Sequence, residues 1–344
     1  MDRSRSLLDR AAIIPIAACA LLFGSTLGVT AQSPDASMDA ASMAPATSMA
    51  PAVIGPECAK DALALKNPGR LTLSTDNPAF PPWWSDADKP ADSDWGFGYP
   101  ANGMGYEGAT AAAIAAALGF TPAETDWIPN TVFENAFAPG PKPFDFHLAQ
   151  ISIRPERAEA IDFSDPYFDS HQAILSMTYP VGAAPDPSAG PDAASAIPTN
   201  PIVDVTTAEG LKAFKLGAAV GTTSFALIED VIQPTSEAQV FNDNAAALQA
   251  LQNGQIDGLV VDVQTALFMR DAQLENFDTA FPEATIVGQF DELAQENQMG
   301  IVLDKDSALT ACVNEALAVI TSDGTLQSIY DQWISTGQDI QTFQ

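Results

Sequence analysis

From residue 71 onward the chain alternates short β-branched runs with helical stretches, and this rhythm constrains the fold more than any other feature of the sequence. Alternation of that kind belongs to α/β architectures, where helices cover the faces of a sheet. Strand-like segments fall at 71–74, ending at Asp76, and at 144–150, 161–163, 172–177, 216–220, 256–261 and 300–303. Helical stretches fall at 107–118, stopped by Gly119, and from Ser224. Others run from Asp243 or Asn244 to Asn253-Gly254, and over 307–321 and 325–335. Between residues 180 and 205 the rhythm stops. Pro180, Pro185, Pro187, Pro191, Pro198 and Pro201 punctuate a Gly/Ala/Ser/Asp stretch that cannot be a regular element, so it reads as an exposed insertion. With 344 residues the chain can build one large core or two linked lobes.

Residues 1–31 carry the three parts of an export signal. Arg3, Arg5 and Arg10 form a basic start, residues 11–29 are apolar, and Val29-Thr30-Ala31 is a small-residue cleavage site. Pro15 and Gly24 argue against a stable membrane span, which needs ~20 apolar residues. Ile16-Ala17-Ala18-Cys19 is similar to a bacterial lipoprotein box, so lipidation at Cys19 is the alternative to cleavage near Ala31. Residues 32–56, with Ser42-Met43-Ala44-Pro45 and again Ser48-Met49-Ala50-Pro51, read as a flexible tether. The expected location is therefore extracytoplasmic, periplasmic or at the cell surface. Removing the signal leaves Cys58 and Cys312, an even pair in an oxidising compartment. A disulfide between them would tie the two chain ends of one lobe, at about 5 kcal/mol in the loop-entropy model. Two buried thiols are the alternative.

Composition excludes several function classes. Forty-four acidic residues stand against 14 basic ones, a formal charge of -30. Such a field repels nucleic-acid phosphates and anionic lipid heads, and no basic patch with interleaved aromatics is present, so nucleic acid is set aside as a partner. Only two histidines, His147 and His171, and three cysteines occur. That rules out a Cys/His zinc cluster and disfavours histidine-centred catalysis. No metal or cofactor is expected.

Four places carry candidate chemistry. Arg157 follows a strand, where crevices open in α/β sheets, and its planar fork suits a carboxylate; a surface ion pair is the commoner use of such a residue. Gly221-Thr222-Thr223 places backbone N–H groups and two hydroxyls at a helix start, an anion site or simply a cap. Asp262 ends the apolar strand Leu259-Val260-Val261, either as a helix cap or as the acceptor of an ammonium group. Asp76 ends the first strand and precedes Phe80-Pro81-Pro82-Trp83-Trp84. Phe80 and Trp83 could sandwich a ligand side chain, core packing being the alternative for at least one tryptophan.

Phe144-Asp145-Phe146-His147-Leu148-Ala149-Gln150-Ile151-Ser152-Ile153-Arg154-Pro155-Glu156-Arg157 and the continuation Phe163-Ser164-Asp165-Pro166-Tyr167-Phe168-Asp169-Ser170-His171-Gln172 resemble the signature of family 3 extracellular solute-binding proteins. The resemblance runs from about Arg70 to Trp333 and takes in Gly105-Tyr106-Glu107-Gly108, Val220-Gly221-Thr222-Thr223 and Asp323-Gly324-Thr325. It implies a two-lobed periplasmic-binding-protein fold of type II, with lobe 1 from 57–170 plus 300–344 and lobe 2 from 171–299. Hinge strands would lie near 168–173 and 288–299, with the ligand cleft between the lobes. It implies a monomeric receptor of an ABC importer that closes on an amino acid or related zwitterion and delivers it to a membrane permease, not an enzyme. Arg157 would clamp the α-carboxylate with Thr223 and the backbone near Ser152. Asp262, with Gln150 or Ser152, would take the α-ammonium. Phe80 would stack on the ligand and Asp76 would stand near its side chain. The insertion at 85–104, with Trp95 and Tyr99, is expected to border the cleft. The alternative is a periplasmic dehydratase of the cyclohexadienyl type on the same fold, with its general acid among Asp76, Glu107 and Asp262.

Overall fold

In the computed structural model the residues described are 52–181, 199–274, 284–290, 298–334 and 340–344, all within the compact unit Ala50–Gln344. The export signal, Cys19, most of the tether, the heart of the Pro-rich insertion at 182–198 and part of the second hinge at 291–297 lie outside them.

The first lobe begins with β1 (Leu71–Asp76), followed by α1 (Tyr106–Ala117), β2 (Thr125–Asn130), β3 (Phe146–His147), α2 (Pro155–Ala158) and β4 (Ile161–Asp169). The chain then crosses to the second lobe as β5 (Gln172–Met177), α3 (Ala208–Leu211), β6 (Leu216–Ala219), α4 (Thr223–Ala226), β7 (Gln239–Phe241), α5 (Asn244–Gln252), β8 (Gly258–Asp262), α6 (Val263–Phe268) and β9 (Ala284–Phe290). It returns through β10 (Gln298–Asp304), α7 (Leu309–Ser322) and α8 (Thr325–Trp333).

Two five-stranded sheets result, in the orders β2-β1-β3-β10-β4 and β7-β6-β8-β5-β9. In each, four strands share one direction, and the returning strand β10 or the entering strand β5 lies antiparallel between two of them. The carboxyl ends of β1 and β8 thus open toward one crevice, where ligands bind in open α/β sheets. The first lobe's core gathers Leu71, Leu73, Trp83, Trp84, Tyr106, Ile114 and Phe146. The second lobe packs residues from both faces of its sheet, among them Leu259 and Val261 on one side and Ile174 and Val260 on the other. Alternation along β8 produces that split.

Three differences from the sequence reading have physical causes. β2 was hidden by Pro129, which an edge strand tolerates because no ladder bond needs its missing N–H. β4 runs on through Pro166 to Asp169, with the pairing to β10 shifting around Gly300 opposite Pro166. The end of the chain needs correction. Residues 340–344 do not stay with the first lobe but add to the β9 edge of the second sheet. Thr342 bridges Gln289, Phe343 N donates to Gln289 O at 2.9 Å, and the Phe343 ring packs on Phe290 at 4.8 Å.

Cys58 and Cys312 form the disulfide that the cysteine count suggested, joining the entry of the first lobe to α7.

Candidate functional site

Between the lobes lies a cavity of about 540 Å³ whose wall includes Arg157, Ser152, Gln150, Phe80 and Asp76 from one side and Asp262, Thr222, Thr223 and Gln172 from the other. Eight of the nine predicted ligand residues therefore meet at one place. A larger hollow of about 730 Å³ lies on the hinge side, around Tyr167, Phe168 and Gln264, and contains none of the nine.

Arg157 follows Pro155, the N1 residue of the single-turn α2, and is 7% exposed. Its Nη1 donates to Ser152 O at 2.9 Å, and its Nη2 reaches across the cleft to Gly221 O at 2.8 Å. The guanidinium carbon lies 4.4 Å from the centre of the Phe137 ring. Burial lowers its pKa to about 10, so it stays charged at neutral pH. Among the described residues its bonded partners are carbonyls and ring faces, with no carboxylate, so a full positive charge stands in the wall of the cleft.

Asp262 faces it from the second lobe. The capping reading holds, since Oδ1 accepts from Thr265 N at 2.9 Å as the N-cap of α6, and the residue also lines the cavity. Burial raises its pKa, opposed by the capping bonds. Thr222 spends its hydroxyl locally, donating to Ala219 O at 2.7 Å and accepting from Phe225 N. Thr223 is turned to the cleft, with Oγ1 3.4 Å from Ser152 Oγ across the interface and 3.5 Å from Gln172 Nε2.

Gln150 holds a left-handed backbone, φ 52, which costs a non-glycine residue about 1–2 kcal/mol. Glu107 supports that shape from behind the wall. Its carboxylate accepts from Gln150 N at 2.7 Å, from the Gln150 amide, from Trp84 Nε1 at 2.9 Å and from the Tyr167 hydroxyl. Burial pushes its pKa up to about 7 against those four donors. Glu107 lies outside the cavity wall, so it supports the site without reaching a ligand.

At the far end, Asp76 Oδ1 accepts from Asn130 Nδ2 at 2.8 Å, a pairing set by the β1–β2 register. Loss of hydration in the cleft raises Asp76 to about 7, and Glu134 adds to the rise. Phe80 stacks on Phe97 at 4.9 Å, so the 85–104 insertion backs the lip of the cleft rather than lining it. Asn77 and Gly96 fix the same lip, with Gly96 N donating to Asn77 Oδ1 at 2.7 Å.

Trp83 is the exception among the predicted ligand residues. It is fully buried in the first lobe's core, edge-on to Phe168, and its Nε1 donates to Thr265 Oγ1 of the second lobe at 3.2 Å. It seals the lobe interface and does not face a ligand. Asn130, Glu134 and Gln172 line the cavity as well, beyond the residues expected from the sequence. Asn130 carried no readable signal, because the strand that it ends beside Asp76 is disguised by Pro129. Glu134 carried none either, because a short 3-10 turn at Phe133–Ala136 delivers it.

A profile of the bacterial extracellular solute-binding proteins, family 3, matches residues 94–336. The chain belongs to that family. This solute-binding protein is 27% identical to the L-cystine-binding protein TcyJ of Escherichia coli K12 over 200 residues, 58% of this chain and 62% of that protein. It is 28% identical to the glutamine-binding protein GlnH of Bacillus subtilis 168 over 194 residues, 55% and 58% of the two chains. The match thus spans less than two thirds of either relative. An ancestral arginine-binding protein bound to glutamine superposes with a TM-score of 0.57 at 26% identity, covering 78% of this chain and 98% of that one. An ancestral amino acid-binding precursor of cyclohexadienyl dehydratase superposes at 0.56 with 23% identity, covering 78% and 96%, a likeness of fold. Among the described residues no helix is long and apolar enough to cross a membrane, and no group of acids, cysteines and histidines is arranged to hold a metal ion.

Proposed function

We propose that this solute-binding protein captures a free amino acid outside the cytoplasm, by closure of the two lobes, and passes it to an ABC permease. The observation that carries the reading is Arg157. A buried cation without a carboxylate partner faces a cleft whose opposite wall offers the carboxylate of Asp262. A zwitterion satisfies both charges, its α-carboxylate meeting Arg157 and Thr223 and its α-ammonium meeting Asp262, with Ser152 and Gln150 alongside. Phe80 and Asp76 are the proposed readers of the side chain. Asp76, Glu134 and Asp243 line the cavity, which favours a cationic or donor-rich side chain over an acidic one.

Micromolar binding needs about 8 kcal/mol, which two charge-assisted contacts and one stacked ring supply after the entropy of association. Arg157 and Asp262 come from different lobes, so full contact requires the closed arrangement, and closure is what a permease can recognise. Export as a monomer, with or without a lipid at Cys19, belongs to the same proposal. The test is a calorimetric titration with the twenty L-amino acids, repeated on the best ligand with Arg157→Ala. Binding in the wild type, and binding weaker by about 100-fold or more in the variant, is expected. Equal affinity in both would remove Arg157 from the site. Incubation with arogenate and prephenate in parallel should give no turnover; measurable dehydration would move the function to the enzyme reading.

A further inference from the structure

His147 lies beneath the side-chain end of the cleft and uses half of its polar capacity. The ring is fully buried and stacks on Phe144 with centroids 5.2 Å apart. Nδ1 lies 3.0 Å from Ser74 Oγ, the side chain opposite it in the β1–β3 pairing. Nε2 has no hydrogen-bond partner and lies 3.7 Å from Asp76 Oδ1, just beyond hydrogen-bond length. A buried polar atom left unmet costs about 1–3 kcal/mol, so such an atom calls for an explanation.

The charged and polar groups around this pair settle its character. Asp76 is faced by Asn130 from β2, Glu134 from the 3-10 turn and His147 from β3. His147 is faced by Ser74 and Asp76 from β1, with Lys142 adding positive potential nearby. Burial, and after it Lys142, depresses the imidazole to about 3, so the ring acts as a neutral donor and not as a counter-ion. The Ser74 hydroxyl can donate to Nδ1, which would place the ring proton on Nε2, the nitrogen 3.7 Å from Asp76 Oδ1.

We propose that His147 is a positioning residue for Asp76. Its Nε2–H, 3.7 Å from Oδ1 and too far for a hydrogen bond, adds only its dipole to the Asn130 bond on that oxygen, and this leaves Oδ2 as the atom offered to a cationic group of the ligand's side chain. The proposal rests on the reading of Asp76 as a ligand-facing acid. Removing the donor withdraws support from the ionised carboxylate, so Asp76 holds its proton to higher pH and accepts a cation less well near neutrality.

The test uses the full chain and two readouts. The chain has only two histidines, so imidazole nitrogen NMR shows two rings, which a His147→Gln spectrum assigns. His147 should remain neutral with its proton on Nε2 from pH 5 to 8, and its signals should step near pH 7 as Asp76 titrates. That step should vanish in Asp76→Asn. A proton on Nδ1, or no step, overturns the proposal. The second readout is L-arginine affinity from pH 6 to 9, with L-glutamine as the neutral probe. His147→Leu should bind L-arginine about three- to tenfold more weakly at pH 7, with the gap closing by pH 9. His147→Gln should bind as wild type, because its amide can accept from Ser74 and donate to Asp76. A deficit equal at every pH, equal for L-glutamine, or shared by the Gln variant contradicts the positioning role. A clear NMR step with no amino acid bound by wild type would sink the binding reading instead, leaving the His147–Asp76 contact intact.

Discussion

At one end of the cleft a guanidinium is pinned by two backbone carbonyls and a ring face; at the other a carboxyl group stands near its own titration point. Arg157 keeps its charge across the physiological range, since burial lowers it only to about 10. Asp76 sits at about 7, lifted by the same loss of hydration but with a single bonded donor, Asn130, to oppose it. Burial acts on both groups, and the number and kind of partners decide which charge survives. The contrast assigns different tasks. In the proposed function the Arg157 end would fix the class of ligand, and the Asp76 end would grade members of that class with a charge that the medium can change.

The largest expected effect belongs to neither end and so serves as the control. Replacing Cys58 and Cys312 by Ala opens a link between residues 254 apart in sequence. Denaturant titration should show a loss of about 5 kcal/mol in stability, with ligand affinity unchanged wherever the protein is folded. A large drop in affinity would tie cleft geometry to the disulfide and blur the comparison.

At the fixed end, Arg157→Ala should weaken binding about 100-fold or more for every amino acid that binds, since truncating one partner of a buried charge pair costs about 2–5 kcal/mol. Asp262→Asn keeps an N-cap, because Asn caps as well as Asp, and removes the charge. Affinity should fall about tenfold or more with the melting temperature nearly unchanged. A loss of melting temperature without a loss of affinity would reduce Asp262 to its capping role.

The smallest effect belongs to the switchable end. In wild type, affinity for a ligand with a cationic side chain should fall as pH drops from 8 to 6, because Asp76 takes up a proton through that window. In Asp76→Asn the profile should be flat, with affinity at pH 8 reduced about tenfold or less. Stability has the opposite sign. The folded-state pKa lies above the ordinary 3.8, so the contribution of Asp76 to stability is fully present below about pH 4 and is lost as pH rises through 7. Asp76→Asn should therefore melt above wild type at pH 8 and lose that advantage near pH 4. Identical pH profiles for the two proteins would contradict a switchable end.

The fixed end was legible in the sequence and the switchable end much less so. Arg157, Thr223 and Asp262 each sit where a strand hands over to a helix, and strand–helix junctions can be read from residue order. Asp76 was visible for the same reason. What surrounds it was not, because Asn130 arrives on an edge strand that Pro129 disguises, and Glu134 on a 3-10 turn without periodicity. Trp83 and Trp84 illustrate the remaining blind spot. Adjacent aromatics after a strand look alike in sequence, and only the packing sends Trp83 against Phe168 and Trp84 against Trp127, both into the core. Gln150 looked like a ligand residue of ordinary conformation. Its left-handed turn depends on Glu107, 43 residues earlier in the chain.

The central claim is that the cleft recognises the two charges of a free amino acid together. A thermal-shift series tests it most directly, using each of the twenty L-amino acids beside its α-amide, which keeps the ammonium and the side chain and lacks the carboxylate. A ligand at 100 times its dissociation constant adds about 2.7 kcal/mol of stability. The account predicts that at least one amino acid raises the melting temperature and that its amide does not. Equal stabilisation by the amide, or none by any free amino acid, would contradict it.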